Sequence, residues 1–165
     1  MNNNNKIVEV TNLLFIKNNK VLLGMKKRGF GKDKYNGFGG KLKPGETIEE
    51  AAIREAIEES GLRPLQYEKV AIIDFPNSYS FRMNLFVCHR WAGEVVETEE
   101  MRPEWFSFET IPYDKMWEDD IYWLPLVLNG KKIKASFIFA NDDDLDGTAN
   151  NKIVDHKIDF VETLD

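Results

Sequence analysis

The sequence has few of the residues that tie a chain together covalently or anchor it in a membrane. It contains one cysteine, Cys88, so an internal disulfide is excluded. This cysteine lies in the apolar run 85–88, which favours a buried strand position over a nucleophile. No run of about 18 apolar residues occurs, so no membrane span is expected. The start, MNNNNK, lacks the apolar segment of a signal peptide, and a cytoplasmic location is expected, with the nucleus and organelles left open.

Acidic residues outnumber basic ones over the whole chain, but the basic residues are concentrated in one segment. The net charge of −6 argues against binding to long nucleic acid. Residues 20–43 nevertheless carry eight Lys and Arg side chains against one acidic residue. Such a basic segment suits a small polyanion, and a solvated lysine-rich loop is the alternative.

One stretch of the chain carries clear helix signals. Thr47 and Glu50 form a capping box, so Thr47 is predicted to be the N-cap. Gly61 follows at the position where a left-handed glycine commonly ends a helix. The apolar face of this helix is predicted to consist of Ile48, Ala52, Ile53, Ala56 and Ile57. Upstream of the helix, Gly39 and Gly40 allow the backbone to approach a ligand closely.

Three carboxylates fall on one stripe of this helix. Glu55 lies three residues before Glu58 and four before Glu59, and residues at these spacings are neighbours on a helix surface. Like charges at such positions repel one another by roughly 0.2–0.5 kcal/mol for each pair. A divalent cation would neutralise the cluster, and an oxygen-only site suits Mg²⁺ or Mn²⁺. The alternative is an ordinary surface helix with a solvated acidic face.

The ordered pattern around these carboxylates resembles the signature of the Nudix hydrolase family. Residues 40–62 follow the motif G-x5-E-x7-R-E-U-x-E-E-x-G-U, in which U is a bulky apolar residue, although Ala56 is small for such a position. The resemblance implies a hydrolase of nucleoside diphosphates linked to another moiety. It also implies the Nudix fold, an α/β/α sandwich with a mixed sheet and a loop-helix-loop catalytic motif.

The rest of the sequence also favours an α/β fold, with mixed strands around one strong helix. Strands are predicted at residues 7–16, 20–25, 69–75, 81–91 and 104–108. Residues 112–125 are expected to form a helix and a turn. Segments 135–140 and 153–161 are expected to form either a final antiparallel pair or a strand and a helix.

The length suits a single domain over residues 1–165. Residues 1–5 are predicted to be a disordered end, and residues 141–151 an acidic insertion. Three aspartates in this insertion have the spacing of the first half of an EF-hand loop, but its twelfth position is Ile153 rather than glutamate. A hydrophilic turn is therefore favoured over a calcium site.

Segments outside the motif resemble one branch of the family, the animal-type MutT homologues, which are oxidised purine nucleoside triphosphatases (8-oxo-dGTP diphosphatases). The similar segments are residues 22–31, 36–41, 100–103 with 105–106, and 116–117 with 119–120. The resemblance implies that water attacks the β-phosphorus of an oxidised purine nucleoside triphosphate and releases the monophosphate and pyrophosphate. This reaction removes damaged nucleotides before polymerases use them. One departure is Tyr35, where the branch has tryptophan, and this residue is expected to flank the pocket.

The resemblance also implies site residues. The catalytic residues would be Glu55, Glu58, Glu59, Glu100, Arg54 and Glu46. Glu46 and Arg54 are expected to pair and to pin the loop onto the helix. Mg²⁺, or Mn²⁺, would be held by Gly40 through its carbonyl and by Glu55, Glu58, Glu59 and Glu100, and the identity of the general base is left open. The substrate-binding residues would be Thr11, Lys26, Phe30, Asn36, Gly39, Gly40, Phe75, Met83, Met101, Trp117, Asp119 and Asp120.

Three residues near position 120 have the chemistry that a purine site needs. Trp117 can stack on a base, which is worth about 1–3 kcal/mol. Asp119 and Asp120 cannot both ionise cheaply in a half-buried pocket, so one pKa should rise. A protonated aspartate donates a hydrogen bond and an ionised one accepts. The pair could therefore hydrogen-bond to a purine whose edge carries either a keto or an amino group. The alternative for the pair is a solvated helix start, and for Phe75 and Met83 it is plain core packing.

Two other functions are open at this stage. One is a Nudix hydrolase of another nucleotide, such as a methylated purine triphosphate or a dinucleotide. The other is a catalytically silent nucleotide-binding module, although the intact Glu55, Glu58 and Glu59 argue against silence. A monomer that binds a small nucleotide, with no long nucleic acid or membrane as partner, is expected.

Overall fold

The computed structural model describes residues 6–77, 80–140 and 151–164. Within these ranges the chain forms eight strands and two α-helices, together with a 3-10 turn at Tyr113–Lys115. In chain order the elements are β1 (Val8–Lys17), β2 (Lys20–Lys26), β3 (Tyr35–Asn36), α1 (Ile48–Ser60), β4 (Arg63–Phe75), β5 (Phe81–Ala92), β6 (Met101–Ser107), α2 (Asp120–Leu128), β7 (Lys132–Phe139) and β8 (Ile153–Val161).

The strands of the described residues form one mixed sheet in the order β3-β2-β1-β5-β4-β7-β8, and β6 pairs with β2. The pairs β1/β5 and β4/β7 are parallel. The other pairs are antiparallel. Because β7 and β8 are antiparallel, the ending predicted as an antiparallel pair is correct, and the alternative of a strand and a helix is wrong.

The two faces of the sheet are covered by different helices. Leu13 of β1 belongs to the same buried cluster as Ala52 and Ala56 of α1. The next residue, Leu14, belongs to a second cluster that contains Trp123 of α2. Successive strand residues point to opposite faces of a sheet, so the alternation along β1 separates the two cores. The predicted α/β/α sandwich is confirmed.

Helix α1 begins and ends as its sequence predicts. The Thr47 side chain accepts a hydrogen bond from the Glu50 backbone N–H at 3.1 Å, and Gly61 adopts a left-handed φ of 80°. The predicted apolar face is partly wrong, because Ile53 and Ile57 are only half-buried. The buried residues are instead Ala51, Ala52, Ala56, Glu59 and Ser60. Small side chains let the helix lie close to the sheet, and this placement buries one of the three carboxylates.

Several strand boundaries differ from the predicted ones. Strand β4 begins at Arg63 rather than at residue 69, and it includes Pro64. This first part of β4 pairs only with β5, and a proline is tolerated where one side of a strand has no partner. Strand β6 begins at Met101 rather than at residue 104. Cys88 is fully buried in β5, as predicted.

No helix in the described ranges is both long and apolar enough to cross a membrane. The disordered end predicted at 1–5 lies outside the described residues, and so do positions 141–150 of the acidic insertion. The last residue of that insertion, Asn151, is described and is buried, so the insertion does not end as a solvated turn.

Candidate active site

The loop before α1 lies directly against β1. The Thr11 N–H donates to the Gly40 carbonyl at 2.9 Å. A side chain on Gly39 would place its Cβ only 1.8 Å from the Thr11 carbonyl oxygen, and a Cβ on Gly40 would lie 2.8 Å from Oε1 of Glu55. A side chain at position 39 would collide with the backbone of β1, and one at position 40 would push the Glu55 carboxylate away. The two glycines therefore let the loop, β1 and the carboxylate of α1 lie together.

Glu59 is the buried carboxylate of the helix, with 4% of its surface exposed. Its Oε1 accepts a hydrogen bond from the Gly39 N–H at 3.0 Å. Burial raises the pKa of Glu59 to about 8, with Glu55 and Glu100 adding repulsion and Lys26 partly opposing the shift. The charged form of Glu59 is therefore disfavoured unless a cation lies nearby.

Arg54 links the loop to the helix. Its Nε and one terminal nitrogen bind both oxygens of Glu46 at 2.7 and 2.9 Å, and the pair confirms the predicted contact. Hydrogen bonds from Arg54 lower the pKa of Glu46 to about 2. The other terminal nitrogen of Arg54 donates to Glu55 at 2.8 Å and to Glu58 at 3.3 Å. One guanidinium thus offsets the repulsion that the helical spacing creates.

Basic side chains lie against three of the predicted carboxylate ligands in this structure. Arg54 serves Glu55 and Glu58, while Lys26 and Arg28 lie 3.8 and 3.4 Å from the half-exposed Glu100. In the described part of the chain, no three His, Cys, Asp or Glu side chains converge as a ready-made metal site. The available donors are nonetheless oxygens alone, which suits a hard divalent cation. The buried Glu59 carboxylate and the Gly40 backbone against Glu55 fit such an ion.

A cavity of about 500 Å³ opens beside this loop. All twelve residues predicted to bind substrate line it, together with Glu59. Phe75 and Met83 line the cavity and also pack against the core. Both roles considered for these two residues from the sequence are therefore present. Nine further lining residues were not predicted: Val10, Asn12, Gly31, Lys34, Gly37, Lys41, Phe81, Phe139 and Asn151. The lysines and glycines of this group lie in the basic segment, whereas Phe81, Phe139 and Asn151 carry no signal in the sequence.

One end of the cavity is aromatic. The Trp117 ring stacks on Phe30, with centroids 5.1 Å apart and an interplanar angle of 24°. The Lys34 ammonium lies 5.3 Å from the Trp117 ring centre. Phe30 is 42% exposed. A flat ligand can therefore meet Trp117 on its remaining surface or displace Phe30 from the stack.

The Asp119 and Asp120 carboxyls lie at the same end, and each is only 3% exposed. The alternative of a solvated helix start is therefore wrong. Oδ2 of Asp119 accepts a hydrogen bond from the Trp123 indole at 2.7 Å. Oδ2 of Asp120 has no partner among the described residues. Burial raises the pKa of Asp119 to about 6, and burial with the adjacent Asp119 charge raises the pKa of Asp120 well above its ordinary value.

This pair should make stability depend on pH. Both pKa values are raised above the ordinary 3.8, so the folded protein holds protons that the unfolded chain releases. The free energy of unfolding should therefore fall as the pH rises from about 4 through the folded-state values. Asp120→Asn should raise Tm at neutral pH and lose this advantage below about pH 4. Calorimetric scans across this range test the expectation, and a Tm difference that does not vary with pH would contradict it.

Tyr35 does not flank the cavity, and the expectation from the sequence is wrong in this respect. Its ring packs edge-on against Phe106 at 5.0 Å in the hydrophobic core. Its hydroxyl donates to Glu104 at 2.8 Å. The side chain points away from the site because β3 pairs with β2 so that Asn36, the next residue, faces the cavity instead.

Curated proteins with related sequences are hydrolases. The chain is 44% identical over 158 residues to the zebrafish (Danio rerio) oxidized purine nucleoside triphosphate hydrolase, covering 94% of this chain and 96% of the relative. It is 46% identical over 136 residues to the mouse (Mus musculus) protein of the same name, covering 81% and 87%.

The fold is shared with proteins of known structure. A MutT protein from Bacillus halodurans superposes with a TM-score of 0.75 at 22% sequence identity, covering 93% of this chain and 98% of the other. The family model for the NUDIX domain matches residues 6–127. The sequence motif, the sandwich and these similarities agree, and the chain belongs to the Nudix hydrolase family.

Proposed function

We propose that this protein hydrolyses oxidised purine (deoxy)nucleoside triphosphates, such as 8-oxo-dGTP and 2-oxo-dATP, to the monophosphate and pyrophosphate. One observation carries the proposal. A single cavity joins the Gly39–Glu59 contact at one end to Trp117, Asp119 and Asp120 at the other. Its volume of about 500 Å³ lies within the usual range for small-molecule sites. The names of the zebrafish and mouse relatives support the same substrate class.

The two ends of the cavity suit the two ends of a nucleotide. Lys26 and Lys41 line the cavity and provide positive charge for a triphosphate. Glu59, Glu55, Glu58 and Glu100, with the Gly40 carbonyl, would hold Mg²⁺ or Mn²⁺. The metal, when bound, supplies polarisation of the phosphoryl oxygens and a lower pKa for water.

At the base end, Asp119 and Asp120 can hydrogen-bond to the polar edge of a purine as donor or as acceptor, depending on which carboxyl is protonated. Burial raises the pKa of both carboxyls, so that one member of the pair can stay protonated and donate while the other is ionised and accepts. Oδ2 of Asp120, which has no hydrogen-bond partner in the described ranges, leaves a polar atom for a ligand. Trp117 supplies the stacking surface. Damaged nucleotides would be removed from the pool in this way before polymerases incorporate them.

The test is a steady-state comparison of 8-oxo-dGTP, 2-oxo-dATP, O6-methyl-dGTP and dGTP with Mg²⁺, repeated with Mn²⁺. We expect kcat/KM for both oxidised substrates to exceed that for dGTP by at least about tenfold, the effect of one well-placed hydrogen bond. Pyrophosphate, not orthophosphate, should form in equal amount to the monophosphate. A clear preference for O6-methyl-dGTP would move the function to methylated purines, and no turnover of any substrate would refute it. The monomeric state, the cytoplasmic location and the single domain over 1–165 stay predictions.

A further inference from the structure

Strand β1 places an amide in the cavity wall where its neighbours are apolar. Asn12 is 3% exposed and lies on the same strand face as Leu14, in the core that α2 covers. Its Nδ2 donates to Oδ1 of Asn36 at 3.1 Å and contacts the Met83 sulfur at 3.5 Å. Its Oδ1 has no hydrogen-bond partner in the described part of the chain.

Two donors fix the orientation of the Asn36 amide. The Gly37 backbone N–H donates to Oδ1 of Asn36 at 2.9 Å, and Nδ2 of Asn12 donates to the same oxygen. Because a backbone N–H can only donate, the atom that it meets must be the amide oxygen. The other terminal atom of Asn36 is therefore its Nδ2, which donates to none of the described residues although Asn36 lines the cavity.

The arrangement leaves an unsatisfied oxygen in the wall. A Cβ on Gly37 would lie 2.0 Å from Oδ1 of Asn12, so the glycine is needed to make room for the amide. A buried acceptor without a donor destabilises a fold, whereas an apolar side chain of the same shape does not. Packing alone would therefore favour leucine over asparagine at position 12.

We propose that Asn12 is a positioning residue that locks the Asn36 amide with its Nδ2 toward the substrate. The site then presents one fixed donor beside the adaptable Asp119 and Asp120 pair, and it selects purine edges that offer an acceptor to Asn36. This inference rests on the proposed function, because a change at Asn12 affects ligand binding only through Asn36.

The experiment is a double-mutant cycle of Asn12→Leu and Asn36→Ala with 8-oxo-dGTP as substrate. Asn12→Leu should raise KM about tenfold, the loss from one hydrogen bond that is no longer held in place, and leave kcat unchanged. Its Tm should stay the same or rise, because the unsatisfied oxygen is removed. In the Asn36→Ala background Asn12→Leu should change KM little, since the amide that it positions is absent.

Asn84→Leu is the matched control. Asn84 is a buried asparagine of β5 that donates to Glu9 and to the Val10 carbonyl and does not line the cavity. This change should lower Tm and leave KM unchanged. If Asn12→Leu behaves in the same way, or raises KM equally with and without Asn36, its role is packing and the proposal is overturned.

A substrate-free measurement separates this inference from the proposed function. The side-chain amide protons of Asn12 should exchange slowly with solvent in the wild-type protein and faster in Asn36→Ala, as observed by NMR. If the wild type is inactive on the proposed substrates but shows this exchange pattern, the proposed substrates are refuted. The positioning of the Asn36 amide by Asn12 is then still supported. Equal exchange in both proteins would refute the lock, whatever the substrate is.

Discussion

Glu59→Gln should lower kcat by at least about a hundredfold, the scale of losing a key electrostatic group. The change keeps the shape of the side chain, and the Gln oxygen can still accept the hydrogen bond that Glu59 takes from the Gly39 N–H. It removes the one buried carboxyl on the helix, whose pKa burial raises to about 8, so that no ionisable group remains to be charged there. Folding should therefore survive, and Tm at neutral pH should rise or stay the same.

The measurement is kcat at saturating Mg²⁺ together with Tm for the wild type and the variant. Glu49→Gln is a matched control, because Glu49 is an exposed residue of the same helix and loses the same charge. It should keep near-normal kcat. Near-normal turnover of Glu59→Gln at saturating Mg²⁺ would contradict the assignment of this carboxylate to the metal.

Asp119→Asn and Asp120→Asn should each weaken the recognition of oxidised purines without removing metal binding. An aspartate changes from acceptor to donor when it gains a proton, but an asparagine cannot. Each variant therefore presents one fixed hydrogen-bonding pattern to the base. Each mismatched hydrogen bond to a buried group should cost about 1–3 kcal/mol in kcat/KM. The losses should differ between 8-oxo-dGTP and 2-oxo-dATP, because the two bases present different donors and acceptors. Trp117→Ala is the contrasting variant and should weaken both substrates alike, since stacking is insensitive to the edge pattern.

The dependence of kcat/KM on pH gives a second test of the aspartate pair. Binding that needs ionised Asp119 should weaken as the pH falls below about 6. Binding that needs one protonated carboxyl in the pair should weaken as the pH rises through the higher apparent pKa of the pair. The fall of kcat/KM at low pH and its fall at high pH should both change when either residue becomes asparagine. Full kcat/KM of both variants on every oxidised purine, at every pH, would remove the main local support for the substrate class.

The elements that depend on local contacts were predictable from the sequence. The cap at Thr47 and the end at Gly61 need only bonds between residues a few positions apart, and both are present. The sequence of β1 shows no clear alternation of apolar and polar residues, because the residues on both faces of this strand are buried. It therefore said little about which face of β1 meets which helix. The bounds of β4 were missed where the bulges and Pro64 interrupt the pattern.

The candidate site was predicted in part. The resemblance supplied twelve cavity residues and the Glu46–Arg54 pair, and the structure brings them together. It did not supply Asn12, whose contacts with Asn36 and Met83 join residues 24 and 71 positions apart. Tyr35 was misplaced because the sequence does not state which face of a two-residue strand meets the cavity.

The sequence by itself determined the helix and the stripe of carboxylates, because spacing along a helix fixes which side chains are neighbours. It also indicated the family, through the resemblance of residues 40–62 to the Nudix motif. Only the tertiary structure decided which of those carboxylates is charged easily. It buries Glu59 against the Gly39 loop and leaves Glu58 exposed beside Arg54. It likewise buries Asp119 and Asp120, each with 3% of its surface exposed. The pKa of a carboxyl follows from its desolvation and its neighbours, and both arise only when distant segments pack together.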